Sequence, residues 1–435
     1  MKSQLSALVV LFFCIVLLVP IKAQSVTWPP DDIRDAYDVS RLLQFGYTGK
    51  GVTVAIVGES IGSTFYSDVN AFSSEFGLPT PSITVVEPYG PGGAASTDEI
   101  TADTELVHAM APDAKLLLVL VGPHSVLDGF SYVIDNNAAD IATMSFYTYY
   151  WGGFAAGIVQ GYNDEYAKSV SEKITLISIS GDFGSDDSVP WVPSGTWTGD
   201  FWTNHLPTSY LMPQFSPYVT IVGGTVLTMP SGYSEAGWSQ SGGGPSNLFP
   251  EPSWQIGQGV PQNQHRNIPD IALDASCDTP YAFIWNMETH FCGTSAAAPT
   301  FAGIIADIEQ AAGGRLGFLN PTLYSLASSD PSVYHDVTSG CSLVQVGAST
   351  QTGYCAHQGW DFVTGWGSID ATRLTAHLAP TAHFAFPAVH PLNVGGAMLP
   401  MNLAQVLGPW IAVMLALAVV VVETFVIRRR KNYKP

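Results

Sequence analysis

From Gly51 onward the chain alternates between short unbroken apolar runs and longer segments with helical spacing. Residues 52–57 (Val-Thr-Val-Ala-Ile-Val), 116–121, 174–179 and 219–222 are such runs. A strand covered on both faces needs no polar alternation, so these runs, spaced by helical segments and Gly-rich turns, predict a mostly parallel sheet. The implied class is α/β, doubly wound, with helices on both faces. Residues 98–107 read as a helix entered through Ser96 or Thr97 and ended before Pro112. No internal repeat is present. Residues 25–378 therefore read as one large domain.

The two ends differ from this pattern. Lys2, an apolar core over 7–20 and the small Ala23 form a signal-peptide pattern over residues 1–23. Residues 406–427 are almost wholly apolar, and a bilayer span needs roughly 20 residues. Glu423 is the single charge in that stretch, and Arg428, Arg429, Arg430, Lys431 and Lys434 follow it. The expectation is one C-terminal transmembrane helix with a basic cytoplasmic tail, 428–435, and the bulk of the chain outside the cell. Residues 379–404, rich in Pro, Ala, Gly and His, read as a linker.

Charge narrows the partners. Of 16 Lys and Arg, two fall in residues 1–23 and five in the tail, leaving nine; of 36 Asp and Glu, one falls in the span, leaving 35. An exterior this acidic argues against nucleic acid as a partner and suits an acidic medium, although solubility alone would also account for it. Four cysteines remain outside the signal peptide: Cys277, Cys292, Cys341 and Cys355. An exported chain with four cysteines predicts two disulfides, and of the three connectivities we prefer the sequence-near one, Cys277–Cys292 with Cys341–Cys355. There is no Cys-x-x-Cys motif to suggest zinc or a redox dithiol.

Candidate chemistry centres on Cys292-Gly293-Thr294-Ser295-Ala296-Ala297-Ala298-Pro299. Gly-Thr-Ser followed by small residues places a hydroxyl at the mouth of a helix, where developing negative charge is favoured. Pro299 is expected in the first helical turn, where its missing N–H costs little. A serine N-cap on a small-residue helix fits the same residues. A nucleophile needs a base, yet none of the ten histidines is followed by glycine, and His108, on a plausible helix before Pro112, reads as a packing or surface residue. Glu99 and Asp103 stand four apart on one helical face. Two close carboxyls cannot both ionise easily, so such a pair can take and return a serine proton; it would equally complement a helix dipole. Asp182, in Ser180-Gly181-Asp182, follows an apolar strand at the end where open α/β sheets bind ligands. Protonated, it would donate to an oxyanion; otherwise it is a turn aspartate.

Together the three motifs, Gly-Thr-Ser-x-x-x-Pro, Glu-x-x-x-Asp and Ser-Gly-Asp, resemble those of the sedolisin family of serine-carboxyl peptidases and stand in that family's chain order. Val222-Gly223-Gly224-Thr225, Gly242-Gly243-Gly244-Pro245-Ser246 and Ile268-Pro269-Asp270-Ile271-Ala272 look like the family too, so the resemblance covers nearly the whole of 25–378. It implies a subtilisin-like fold, cleavage of protein or peptide substrates in acid, Ser295 as nucleophile, Glu99 as general base and acid, Asp103 as its orienting partner and Asp182 as oxyanion donor. It also implies one structural Ca²⁺, held by the carboxylates of Asp336 and Asp361 and the backbone carbonyls of Val337, His357 and Gly359, with Cys341–Cys355 bracing the loop between. His357 stands where relatives often carry Gly. Relatives usually have a long prodomain, whereas here Asp31-Asp32-Ile33-Arg34, which resembles the start of the catalytic domain, follows the signal pattern almost at once. The alternative from another class is a catalytically inactive cell-surface binding protein on a protease fold.

Overall fold

The computed structural model describes residues 27–92, 97–151, 155–184, 209–229, 233–346 and 350–382. The expected signal peptide, transmembrane helix, basic tail and all but the first four residues of the linker lie outside those residues. Among the described residues no helix is long and apolar enough to cross a membrane.

The apolar runs become neighbouring strands. The strands are β1 (Thr53–Gly58), β2 (Ser82–Val86), β3 (Lys115–Leu120), β4 (Ile141–Met144), β5 (Thr175–Ile179), β6 (Thr220–Thr228), β7 (Ser234–Gly237) and β8 (Ile271–Asp274). They form one sheet in the order β8-β6-β5-β4-β1-β3-β2, with β7 paired to β6. Every pairing along that path is parallel, and only β7 runs antiparallel. β4 and β5 are buried at every position, which is why they lack alternation. β4 and β8, of four residues each, are too short to stand out as runs, and the edge strand β2 stays partly exposed.

Helices cover both faces: α1 (Pro30–Ala36), α2 (Val39–Gln44), α3 (Phe65–Glu75), α4 (Thr97–Met110), α5 (Leu127–Asp135), α6 (Ala155–Glu172), α7 (Thr294–Ala312), α8 (Asn320–Ser329) and α9 (Ala371–Leu378). Ala55 and Val57 of β1 share a core with Phe130 of α5 and Tyr166 of α6. Val54 and Ile56 alternate with them and are equally buried, so they face the other side, where α4 and α7 lie against β1. α7 is buried from Thr294 through Glu309, a helix enclosed on all sides. It runs against α4 with little space between them: a Cβ at Gly303 would lie 2.6 Å from Met110 Cβ and 2.9 Å from the Val107 carbonyl. The backbone of α4 is thereby held close to that of α7. Past α9, Ala379 is buried and its N–H bonds to Thr375, so the packed unit continues into the first residues of the expected linker.

Both expected disulfides are formed, Cys277–Cys292 and Cys341–Cys355. The second joins the paired strands Cys341–Val346 and Thr350–Cys355. A fully buried ion pair, Arg266 to Asp270 Oδ2 at 2.6 Å, stands just before β8; the same oxygen receives the Ile221 N–H at 2.8 Å, and Oδ1 receives Arg266 Nη1 at 2.8 Å and the Tyr324 hydroxyl at 3.0 Å.

Candidate active site

Three elements converge at the carboxyl ends of the central strands. The first is the entry to α7. Gly293, with φ +100°, is its N-cap, and Ser295 is the second helical residue. Ser295 is therefore not the cap, which removes the simplest non-catalytic account of it. It is 7% exposed, near enough to the surface for a substrate to reach. Gly293 N–H donates to the Ala275 carbonyl at 2.7 Å, and Cys292 beside it is tied to Cys277, so the approach to the helix is pinned. Pro299 is not in the first turn as expected but is the sixth helical residue, inside the helix. Its absent N–H is the one that would serve the Ser295 carbonyl. Ser145 Oγ, just past β4, lies 3.4 Å from that oxygen.

The second element is α4, which begins at Thr97 and carries Glu99 and Asp103 one turn apart on the side of α7. Ser295 stands beside the Glu99 carboxyl, close enough for its hydroxyl to favour the ionised form. Ser145 Oγ donates to Asp103 Oδ1 at 2.8 Å. Glu99 Oε1 and Asp103 Oδ2 are buried with no hydrogen-bond partner. Burial, then the charge of Asp103, holds the Glu99 carboxyl well above the usual carboxylate range, against the opposing pull of the Ser295 hydroxyl. Burial likewise raises Asp103, opposed by the Ser145 donor.

The third element is the loop after β5. Asp182 Oδ1 receives the Thr294 backbone N–H at 2.8 Å and the Thr294 hydroxyl at 2.7 Å. The loop is braced from behind by Gly242 N–H donating to the Gly181 carbonyl at 2.8 Å. Burial raises the proton affinity of Asp182, and the two Thr294 donors lower it.

All four expected catalytic residues thus share one site. His108 is not part of it: it is fully buried, Nε2 lies 2.8 Å from the Pro79 carbonyl, and burial lowers its proton affinity. It stands nine residues along α4 from Glu99, roughly 13 Å by helical rise. Ser145 was not foreseen, since a lone serine after a four-residue strand gives no signal in sequence. A separate cavity of about 560 Å³, lined by Thr27, Phe76, Phe283, Ile284 and His290 among others, contains none of the four.

The expected calcium residues lie on adjoining turns. Gly359 N–H faces both Asp336 oxygens, at 3.2 and 3.0 Å. Asp361 Oδ2 receives the His357 N–H at 3.1 Å, while Oδ1 receives those of Val363 and Thr364 at 2.8 and 2.9 Å. Asp361 is buried, Asp336 is exposed and Val337 is buried. Among the described residues no group of three His, Cys, Asp or Glu side chains could hold a metal. Any cation here would therefore need backbone carbonyls beside the two carboxylates, an all-oxygen set that suits a hard ion.

No family model matches the chain. It is 31% identical over 396 residues to kumamolisin from Bacillus sp. (strain MN-32), covering 84% of this chain and 66% of that protein. To sedolisin from Pseudomonas sp. (strain 101) it is 29% identical over 378 residues, 80% of this chain and 61% of that one. A solved structure of a Pseudomonas sedolisin, a serine-carboxyl proteinase complexed with two molecules of pseudo-iodotyrostatin, aligns with a TM-score of 0.70 at 27% identity, covering 83% of this chain and all of that one. The chain belongs to the sedolisin family. Human tripeptidyl-peptidase 1 is a further relative, 33% identical over 236 residues, 49% of this chain and 39% of that one. The chain spans under two thirds of the length of these curated relatives.

Proposed function

We propose that this sedolisin-family chain is a serine-carboxyl endopeptidase active in acid. The observation that carries the reading is that the fold brings Ser295 beside the Glu99 carboxyl, with Asp103 one turn behind on the same helix and Asp182 at the same site. Ser295 Oγ attacks the peptide carbonyl while its proton passes to Glu99, and an acyl-enzyme forms as that proton reaches the departing amine. Water then attacks the ester; Glu99 takes its proton and returns it to Ser295 Oγ as the ester opens, releasing the carboxylic acid product. Asp103 shares the charge of Glu99 and, held by Ser145, keeps it in place. Asp182, protonated, donates to the oxyanion at each tetrahedral stage. An ionised Asp182 would accept but not donate, so activity falls as the pH rises.

Ca²⁺, when bound, would supply structural support to the 336–361 region, with Asp336 and Asp361 as its carboxylates and Val337, His357 and Gly359 offering carbonyls. The proposed setting is the cell surface, with 406–427 as anchor and the catalytic domain outside; the support is the length of that apolar run and the arginines after it.

The test is peptide hydrolysis from pH 3 to 8 by the full chain, with Ser295→Ala and Glu99→Gln beside it. Cleavage limited to acid and lost in both variants is the expected result. Cleavage that survives Ser295→Ala, or a flat profile to pH 8, refutes the assignment.

A further inference from the structure

The two oxygens of Asp182 sit in unlike surroundings. Oδ1 receives both Thr294 donors, the backbone N–H at 2.8 Å and the hydroxyl at 2.7 Å. The direction of that hydroxyl is set from its other side, because Thr294 Oγ1 itself receives the Gly181 N–H at 3.2 Å. With that lone pair engaged, its single proton points to Oδ1. Oδ2 lies toward Gly293, where an added Cβ would fall 2.5 Å from it but 3.5 Å from Oδ1.

A carboxylic acid has one proton. On Oδ1 it would meet two hydrogens already directed at that oxygen; on Oδ2 it meets neither. We infer that Thr294 is a positioning residue which, by filling Oδ1 with two donors, assigns the proton of Asp182 to Oδ2, the oxygen on the Gly293 side. This rests on the role proposed above for Asp182 as oxyanion donor. Thr294 thus has a part separate from that of its neighbour Ser295: it decides which end of the carboxyl can donate.

The same donors have a second effect, since hydrogen bonds to Oδ1 also favour the ionised carboxylate. Among the described residues, Glu99 on α4 is a titratable group that acts on the same site as Asp182, with Asp103 one turn behind it. Neither is bonded to Thr294 through its side chain, so a change at Thr294 acts first on Asp182. Loss of the hydroxyl therefore has two opposite signs: the donor is less well placed, yet it keeps its proton to higher pH.

The experiment measures kcat and KM against pH for the full chain, wild type, Thr294→Val, Thr294→Ser and Asp182→Ala, with thermal melting of each. For Thr294→Val the expected result is a kcat about tenfold or more lower, as for a weakened oxyanion donor, with KM little changed. Its alkaline limb should move to higher pH, and Thr294→Ser should restore both features. Should Thr294→Val fail to fold, Thr294→Ala carries the same expectation. An unmoved alkaline limb overturns the inference, whether kcat is kept or falls together with the melting temperature. Asp182→Ala separates the two levels: if it keeps kcat, the oxyanion reading itself fails, and if it is inactive while Thr294→Val matches wild type, only the Thr294 inference fails.

Discussion

Glu105 gives the fold a titration that can be measured apart from catalysis. It lies on α4 two residues past Asp103 and is fully buried. Its Oε2 receives the Ile284 N–H at 2.9 Å, while Oε1 is buried without a partner. Burial pushes its carboxyl up from 4.5 to about 9, opposed by the Ile284 N–H and assisted by the charge of Asp68. A carboxyl whose proton affinity is higher folded than unfolded contributes stability that is complete below the unfolded value and lost as pH rises toward the folded one. The window here runs from 4.5 to about 9. By pH 7 the loss is about 3 kcal/mol, at ~1.4 kcal/mol per pH unit.

Glu105→Gln removes that titration while keeping the shape and the acceptor for Ile284. The assay is urea unfolding at pH 4 and pH 7 in a Ser295→Ala background, which prevents self-digestion. At pH 4 the two proteins should lie close together, the Gln variant carrying two unpartnered N–H donors where protonated Glu carries one O–H. At pH 7 the Gln variant should be the more stable by about 3 kcal/mol. Equal pH slopes for the two proteins would refute the reasoning, since Glu105 would then ionise without cost where it stands.

Two further outcomes are expected. Gly293→Ala would set a Cβ 2.5 Å from Asp182 Oδ2 at a backbone φ of +100°, so peptide cleavage should drop at least about a hundredfold while circular dichroism is preserved. Chelation of calcium should lower the melting temperature of the wild-type protein by several degrees, and Asp361→Ala should melt at one temperature with or without chelator; a wild-type protein indifferent to chelation would remove the proposed ion.

The sequence carried much of this site because its chemistry sits in contiguous motifs. Glu99 and Asp103 were readable from helical spacing, Ser295 from the small residues after it, and Asp182 from its place after a buried strand. What could not be read depends on contacts between distant segments. Ser145 reaches Asp103 from 42 residues away, and nothing beside it in the chain marks it. Thr294 was visible as part of a motif, but its action on Asp182 crosses 112 residues. Pro299 was placed one turn too early because a proline usually marks a helix start. Its position inside α7 leaves the Ser295 carbonyl without its helical N–H, and the Ser145 hydroxyl 3.4 Å away has its one proton engaged by Asp103. Arg266 was likewise silent, since only the fold brings its guanidinium and Asp270 into the buried interior.

The buried acids explain why so few cations suffice. Asp307 on α7 is buried with both oxygens unpartnered, and Glu309, two residues on, is pushed up to about 8, in both cases chiefly by burial. Arg34 and Arg315 pull these two groups the other way, but their own nitrogens bond elsewhere: Arg34 to the Ala109 carbonyl and Asp31, Arg315 to Asp140. A carboxyl left without a close cation is tolerable only while neutral, so the interior and the proposed oxyanion donor Asp182 favour the same protonation state. Loss of activity on raising the pH would then have two origins, ionisation of Asp182 and weakening of the fold. They separate in time: the first reverses at once when the protein is returned to acid, whereas the second returns only as fast as the chain refolds.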